Sequence, residues 1–346
     1  MAYTTIDKPS DYFNTLTYTG NGGTNNITGV GFTPNFVWFK SRGDADDHNL
    51  YDTIRGATKF VETNTSLGEQ TQSNGLTAFG SDGYTLGDFN VGNRNNGNIV
   101  TWNWKAGTSF TNDASSTGIG TIDSAGSVNT DAGFSIISYT GTGTAGTFAH
   151  GLNAVPKMMI LKRLDGSGWS WIVYQHTMGN NYRAVLNNTG AKEAQDYFQN
   201  TSPTSTVFSI KTNGNVNGSS GNYIAYLFAE KQGYSKFGSY SGNGSTDGTF
   251  VYTGQKSAFI MIKRTNSTSN WRIFDNKRLG YNSSNSQLYP NLSNTEDTGT
   301  NLDIYSNGFK LLSTSGDINN GSGTYIYMAF AENPFVTSTG VPATGR

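Results

Sequence analysis

The chain has 346 residues, of which 44 are glycine and none is cysteine, and its formal net charge is -1. Charged residues make up 14% and aromatic residues 13%, a balance that excludes a disordered chain and indicates folded β-rich structure. Without cysteine there are no disulfides. The near-neutral charge and the lack of a long apolar run predict neither a nucleic-acid partner nor insertion into a membrane.

Residues 1–17 come before the first repeated motif, and we interpret them as an N-terminal arm. The opening "MAYTTIDKP" lacks the basic and apolar regions of a secretory signal peptide. We therefore expect synthesis in a cytoplasm, with release by a route such as cell lysis.

Three similar repeats follow the arm. A glycine-rich stretch begins at Tyr18, Tyr139 and Tyr240, and each is followed by an apolar run that ends in Lys40, Lys162 or Lys263. Each repeat closes on an aromatic run, which ends at Trp104, Phe228 or Phe330. A spacing of this length is too long for a solenoid and fits tandem domains. We place the repeats at 18–107, 133–233 and 234–335.

Short apolar runs bounded by Gly, Asn and Ser are typical of strands. The runs "FVWFK" and "FIMIK" are apolar at every position before the lysine, which predicts central strands covered on both faces. The predicted fold class is all-β, with three tandem antiparallel β-sandwich domains of jelly-roll or lectin-like type and the N-terminal arm.

Three further segments carry weaker signals. Residues 108–132 are rich in Gly, Ser and Thr and are predicted to be a linker. The segment from Thr189 to Asn200 is the best candidate for a short surface helix, and residues 336–346 are expected to form a flexible tail.

Gly141, Gly143 and Gly146 match the glycine pattern of a dinucleotide-binding turn. A helix should follow those glycines, but Pro156 and a new strand follow instead, so we interpret the stretch as a hairpin turn. Asn25 occupies the position of Gly146 in the first repeat, and Gly146→Asn is accordingly expected to be tolerated.

No residue pattern indicates catalysis or a cofactor. The carboxylates are not paired as in a glycosidase, and no nucleophile elbow is present. The cluster of Asp44, Asp46 and Asp47 is interpreted as a solvated loop rather than a calcium site, and no metal ligands are assigned.

Aromatic side chains in loops can stack on sugar rings, and three are weak candidates for ligand binding: Trp169, Tyr281 and Tyr289. The alternative for each is an ordinary place in the core of a sandwich.

Several long segments of the chain are specific enough to compare with known families, among them "TTIDKPSDYFNT", "LYDTIRGATK", "WNWKAG" and "GFSIISYTGTGTAGTFAHGLNAVPKMMILKR". They resemble a family of tail and structural proteins of marine tailed bacteriophages, including cyanophages. The resemblance covers most of the chain, although repeat 2 departs from it at "VFSIK". It implies a virion protein with an attachment arm, made in the host cytoplasm and released by lysis.

Its expected partners are other virion proteins of the tail or capsid and a host-surface glycan or protein, and we expect a homo-oligomer. The leading hypothesis is a tail fibre or receptor-binding appendage. The alternatives are a capsid decoration protein and an enzyme that trims surface polysaccharide, although we expect no enzymatic activity.

Overall fold

The computed structural model describes residues 2–278, 282 and 285–345. The chain is mostly β, with antiparallel sheets and almost no helix. The helical segments are single turns at Pro9–Asp11, Asn90–Asn93, Ala114–Thr117 and His176–Met178. Within the described residues, no helix is long and apolar enough to span a bilayer.

The strands fall into three successive groups, which we call units 1, 2 and 3. Unit 1 contains nine strands: β1 Phe13–Thr19, β2 Asn25–Ile27, β3 Phe36–Ser41, β4 Asn49–Asp52, β5 Lys59–Glu62, β6 Gln70–Thr71, β7 Leu76–Gly80, β8 Gly83–Leu86 and β9 Asn98–Trp104. Unit 2 contains ten: β10 Thr108–Asn112, β11 Ser124–Asn129, β12 Phe134–Thr140, β13 Gly146–Ala149, β14 Pro156–Arg163, β15 Ile172–Gln175, β16 Tyr182–Val185, β17 Glu193–Ala194, β18 Val207–Ile210 and β19 Asn222–Ala229. The strands of unit 3 are β20 Ser235–Ser241, β21 Phe250–Tyr252, β22 Gln255–Arg264, β23 Trp271–Asp275, β24 Asn285–Gln287, β25 Asp297–Gly299, β26 Leu302–Tyr305, β27 Gly308–Leu311 and β28 Thr324–Pro334.

Each unit has a large sheet and a small sheet. The large sheets have the orders β1-β9-β3-β4-β5-β6, β10-β11-β12-β19-β14-β15-β16-β17 and β20-β28-β22-β23. The small sheets are β2-β8-β7, β13-β18 and β21-β27-β26, and β24 pairs with β25. Strands β3 and β22 lie inside their sheets with both faces buried, which confirms the prediction for "FVWFK" and "FIMIK".

Each large sheet packs one face against its small sheet and contributes the other face to a single common core. The aromatic runs that close the three repeats meet in this core. Ring centroids are 6.5 Å apart for Trp104 and Phe228, 5.5 Å for Trp104 and Phe330, and 5.8 Å for Phe228 and Phe330. The three residues occupy equivalent positions, opposite Phe36, Met158 and Phe259 respectively.

Equivalent hydrogen bonds join the units in a closed cycle. The Glu69 N–H of unit 1 donates to the Leu164 carbonyl of unit 2 at 2.7 Å. The Lys192 N–H of unit 2 donates to Thr265 of unit 3 at 2.9 Å, and the Glu296 N–H of unit 3 donates to Arg42 of unit 1 at 2.8 Å. The units therefore form an approximately threefold ring within one chain.

Indole groups reinforce two of these contacts. Trp171 Nε1 donates to the Glu62 carbonyl at 2.7 Å, and Trp271 Nε1 donates to the Val185 carbonyl at 2.9 Å. At the third contact the equivalent residue is His48, whose Nδ1 accepts the Trp38 indole N–H at 3.0 Å. Burial lowers the pKa of His48 well below its usual range, so the ring is neutral at this contact.

Buried ion pairs follow strand β4 in unit 1 and strand β23 in unit 3. Arg55 lies 2.6 Å from Asp52, and Arg278 lies 2.6 Å from Asp275. A neighbouring unit supplies a further donor to each aspartate: the Tyr226 hydroxyl to Asp52 at 2.8 Å and the Trp102 indole to Asp275 at 3.0 Å.

Unit 2 replaces this ion pair. In the strand registers, Gln175 occupies the position of the two aspartates, and Met178 stands where the arginines stand. Met328 of unit 3 occupies the position of the donors Trp102 and Tyr226. At this one contact, uncharged residues thus replace the aspartate, the arginine and the donor from the neighbouring unit. Because all three are replaced together, none of them leaves a buried charge without its partner.

The glycine stretches that mark the repeats are crossings between sheets, not the hairpin turns predicted from the sequence. Strand β12 belongs to the large sheet and β13 to the small one, and the same holds for β1 and β2 and for β20 and β21. The side chain of a buried asparagine stabilises each crossing by hydrogen bonding. These asparagines are Asn93, Asn217 and Asn319. Its side-chain oxygen accepts the backbone N–H of Asn21, Thr142 or Asn243 respectively.

The tyrosine that opens each glycine stretch is part of the same arrangement. The hydroxyl groups of Tyr18, Tyr139 and Tyr240 donate to the carbonyls of Gly92, Val216 and Ile318, at 2.7, 2.5 and 2.7 Å. Each of those carbonyls belongs to the residue that precedes a buried asparagine. The repeated motif is therefore explained by loop closure, not by phosphate binding.

The structure corrects two predictions about individual segments. Residues 108–132 are not a linker, because they form β10, a helical turn and β11, which extend the large sheet of unit 2. The segment from Thr189 to Asn200 forms no helix; it contains β17, and its Phe198 is buried. Strands β10 and β17 are edge strands, and β11 contributes mainly small side chains, so neither segment shows the apolar pattern by which strands are recognised in a sequence.

The described residues near the two ends of the chain pack against the units. Residues 1–17 include the start of β1, and Ile6 and Phe13 belong to the common core. In the tail at 336–346, Val336 pairs with Pro342, and Ser338 hydrogen-bonds Asp7.

We expect Phe330→Ala to lower the free energy of unfolding by about 3–5 kcal/mol, since it opens a cavity where three sheets meet. Because the core is common, thermal unfolding should remain a single transition in circular dichroism and in tryptophan fluorescence. The control, Phe250→Ala, removes a ring that is 45% exposed and should cost much less. Separate transitions for separate units would contradict the role of the common core.

Asn319→Ala is expected to cost about 2 kcal/mol, because it leaves the carbonyls of Ser245 and Ser313 and the Asn243 N–H without the buried amide that pairs with them. Chemical denaturation measures this cost. Asn26→Ala is the matched control: Asn26 is exposed, and its loss should change stability by less than about 0.5 kcal/mol. Equal effects of the two substitutions would show that the crossing does not depend on the buried amide.

The expectation that Gly146→Asn is tolerated conflicts with the structure. A Cβ atom at Gly146 would lie 2.6 Å from Thr121 Oγ1 and 3.0 Å from the Ile122 side chain, both in the segment that unit 2 adds. We now expect a cost of about 1–3 kcal/mol in thermal or urea unfolding. Gly43→Asn, at a site with open space for a Cβ, should be nearly neutral. An unchanged stability of Gly146→Asn would restore the original expectation.

Candidate functional site

The outer face of the small sheet in unit 3 carries exposed aromatic rings. Phe250, Tyr252 and Tyr305 are 45%, 55% and 38% exposed. Among the described residues, they are the three aromatic members of the set of exposed large hydrophobic side chains. We call these three residues the aromatic face. Contiguous exposed apolar surface of this kind marks interaction sites on soluble proteins.

Strand register explains how the three rings reach one surface. Successive side chains of a strand point to opposite faces, so Phe250 and Tyr252 point outward while Val251 enters the core. Tyr252 lies opposite Gly308 on β27, and Gly308 lies opposite Tyr305 on β26. The two tyrosines therefore flank a position that has no side chain.

Gly308 is required at the centre of the aromatic face. A Cβ atom there would lie 2.2 Å from the Val251 carbonyl oxygen and 3.0 Å from the Phe250 ring. The Phe250 ring meets Tyr305 edge to face, with centroids 5.9 Å apart and planes at 76°. The result is a shallow surface bordered by rings on two sides.

Polar groups lie in the adjacent row of the same sheet. Lys310 lies opposite both Phe250 and Asp303, and it forms an ion pair with Asp247. The Lys310 ammonium lowers the pKa of the Asp247 carboxyl, and both groups reach solvent. The N-terminal segment adds Tyr3, whose hydroxyl lies 3.5 Å from that of Tyr252.

The other two units do not share the aromatic face. In unit 1, the positions of Phe250, Tyr252 and Tyr305 correspond by register to Asn26, Thr28 and Gly80. In unit 2, residues 121–122 pair with β13 of the small sheet: Thr121 exchanges hydrogen bonds with Thr147, and Ile122 pairs with Phe148. Because Phe148 points into the core, the outward side chains of β13 are the small residues Thr147 and Ala149. The aromatic face is thus specific to unit 3.

A second surface feature is an open groove of about 950 Å³ between units 1 and 2. The groove lies next to strand β11, which has no counterpart in units 1 and 3. Its charged lining residues are already engaged: Lys59 lies 3.1 Å from Glu69, and Asp165 accepts the Asn222 N–H. Tyr139 and Tyr223 also line it but are 5% and 1% exposed, so the groove offers hydrogen bonding rather than ring stacking.

Three buried lysines have lowered pKa values, but these values do not identify a catalytic centre. Burial lowers the pKa of Lys40, Lys162 and Lys263 to about 8 in each case. Each ammonium donates to backbone carbonyls of nearby loops, and the three lysines are equivalent by the repeat. A group that recurs in all three units serves loop closure more simply than catalysis.

Among the described residues, no cluster of three His, Asp or Glu side chains is arranged to hold a metal ion. The three aspartates of the loop cluster described from the sequence each contact another side chain. Asp44 and Asp46 pair with Arg94, and Asp47 contacts Asn64.

The ligand-binding candidates from the sequence lie elsewhere. Trp169 is half-buried, with the Arg163 guanidinium 4.3 Å from its ring centroid. Tyr289 is 8% exposed, its hydroxyl donates to Asp297, and Arg272 covers its ring. Tyr281 lies outside the described residues. The structure does not bring Trp169 and Tyr289 together into a site.

The residues of the aromatic face were not identified from the sequence. The available signal was the strict alternation in "TFVYTG", in which aromatic residues flank one apolar residue. A second aromatic residue that belongs with this signal is Tyr305, which lies just before the "NGF" turn at the start of β27.

The chain was compared with protein families, curated proteins and solved structures. Residues 8–334 match the family model described as a domain of unknown function (DUF7483). No curated protein matches the chain, and no solved structure does. Because the match covers nearly the whole sequence, the chain belongs to the DUF7483 family.

Proposed function

We propose that the protein is a bacteriophage virion protein, a tail fibre or related receptor-binding appendage, and that unit 3 contacts the host surface. The observation that supports this most directly is the aromatic face. It is exposed in unit 3 and replaced by polar and small residues in unit 1, and in unit 2 the outward side chains of β13 are the small Thr147 and Ala149. A surface that only one of three equivalent units retains is better explained by recognition than by folding.

We also propose how the sheets are grouped into domains. Each large sheet and its small sheet form one β-sandwich domain, so that three such domains follow in tandem. Separate apolar clusters between the paired sheets support this division. The N-terminal segment packs on units 1 and 3, and it supports an attachment role only through the residues that it leaves exposed.

In this proposal the protein is not an enzyme. It is made in the host cytoplasm, assembles with other tail proteins and leaves by lysis. The sequence resemblance to phage structural proteins supports this origin.

The closed ring of three units favours a second candidate, a capsid decoration protein. Decorations often occupy symmetric positions on a shell, and an approximately threefold ring is suited to a threefold position. Immunogold labelling of intact virions separates the two candidates: label on the tail supports the appendage, and label on the heads supports the decoration protein.

The receptor-binding proposal predicts that purified protein blocks phage adsorption to its host and labels host cells in flow cytometry. Replacing Phe250, Tyr252 and Tyr305 together by Ser should reduce both effects at least about tenfold. The control variant, Leu67→Ser, removes an exposed apolar side chain from unit 1 and should behave as wild type. Failure of the wild-type protein to bind cells, or equal activity of the triple variant, would contradict the proposal.

A further inference from the structure

We propose that the aromatic face binds a neutral glycan, with two sugar rings of one glycan chain stacked on Tyr252 and Tyr305. The inference rests on the proposed function for the source of the glycan, the host surface. It names the chemical class of the ligand, which the receptor-binding role alone leaves open.

The first argument is spacing. Tyr252 and Tyr305 lie on β21 and β26, which flank β27, so their Cα atoms are separated by two strand spacings, roughly 10 Å. Directly linked pyranose rings lie closer together than this, so the spacing matches two rings that are separated by one sugar residue. The intervening sugar would lie over the Phe250 ring, whose edge approaches Gly308.

The second argument is the character of the side chains. A pyranose ring has one face of C–H groups and a rim of hydroxyls. A tyrosine offers an apolar ring for the C–H face and a hydroxyl at its tip for the rim. Phe250, at 76° to Tyr305, borders the same space with a second apolar surface.

The third argument is charge. Among the described residues, the row of the small sheet beside the aromatic face carries Lys310 and Asp303, and Lys310 is paired with Asp247. The local balance is not positive, so a sulfated or uronic acid glycan would meet repulsion rather than attraction. The same polar groups can exchange hydrogen bonds with neutral hydroxyls.

The fourth argument is size. At 38–55% exposure, three aromatic rings that each bury 150–250 Å² when fully covered offer roughly 300 Å². A standard protein interface needs about 800 Å² from each partner. The surface matches a short stretch of glycan better than a folded protein.

The intact protein is to be titrated with neutral hexaoses (malto-, cello- and mannohexaose) by isothermal calorimetry and by saturation-transfer NMR. Oligogalacturonate serves as the acidic probe. We expect at least one neutral hexaose to bind and oligogalacturonate to give no signal.

Tyr252→Ala and Tyr305→Ala should each weaken binding at least about tenfold. The matched controls are Leu67→Ser, which is exposed in unit 1, and Asn26→Ala, which stands at the position of Phe250. Both should bind as wild type. Unchanged thermal midpoints show that the variants remain folded, as expected for exposed side chains.

Failure of all neutral hexaoses, binding only of oligogalacturonate, or full binding by the tyrosine variants would overturn the inference. These outcomes are distinguishable from failure of the proposed function. If the protein still labels host cells while no hexaose binds, receptor binding stands and the glycan inference falls. If a hexaose binds at the tyrosines but host cells are not labelled, the glycan inference stands and the receptor role falls.

Discussion

The contact among Trp104, Phe228 and Phe330 is the constraint on which the arrangement of the chain depends. Each residue belongs to a long strand inside its large sheet, and each ring reaches the other two. A sheet with two apolar faces must pack against another layer of the protein on each side. The small sheet covers one face, and the neighbouring units cover the other. No unit therefore keeps its full apolar surface buried without the other two.

Much of the fold was predictable from the sequence because the repeats recur as ordered landmarks. The apolar runs ending in Lys40 and Lys263 are central strands, as their patterns indicate. The residues from 108 to 132 were misjudged because β11 pairs through its backbone and contributes mainly small side chains. Their extended pairing is a property of the neighbouring strand β12, which local composition does not report.

The candidate site was harder to predict for a related reason. Tyr289 and Tyr305 both lie in polar surroundings in the sequence, yet one is buried and the other exposed. The difference arises from tertiary partners, since Arg272 and Asp297 enclose Tyr289. In contrast, the alternation around Val251 was a local signal. Comparing the equivalent positions of the three repeats would have shown that only the third carries aromatic residues there.

The exchange at Gln175, Met178 and Met328 has a consequence for how the repeats can diverge. At two junctions a donor from one unit meets a carboxylate of the next, while the third junction is uncharged. Exchanging units 1 and 2 would set Met328 against the Asp52 carboxylate, which would lose its donor from the neighbouring unit, and the Trp102 indole against Gln175. The order of the units is thus encoded in their junctions. A gene in which two repeats were shuffled or recombined would yield a chain with the right strands and the wrong neighbours.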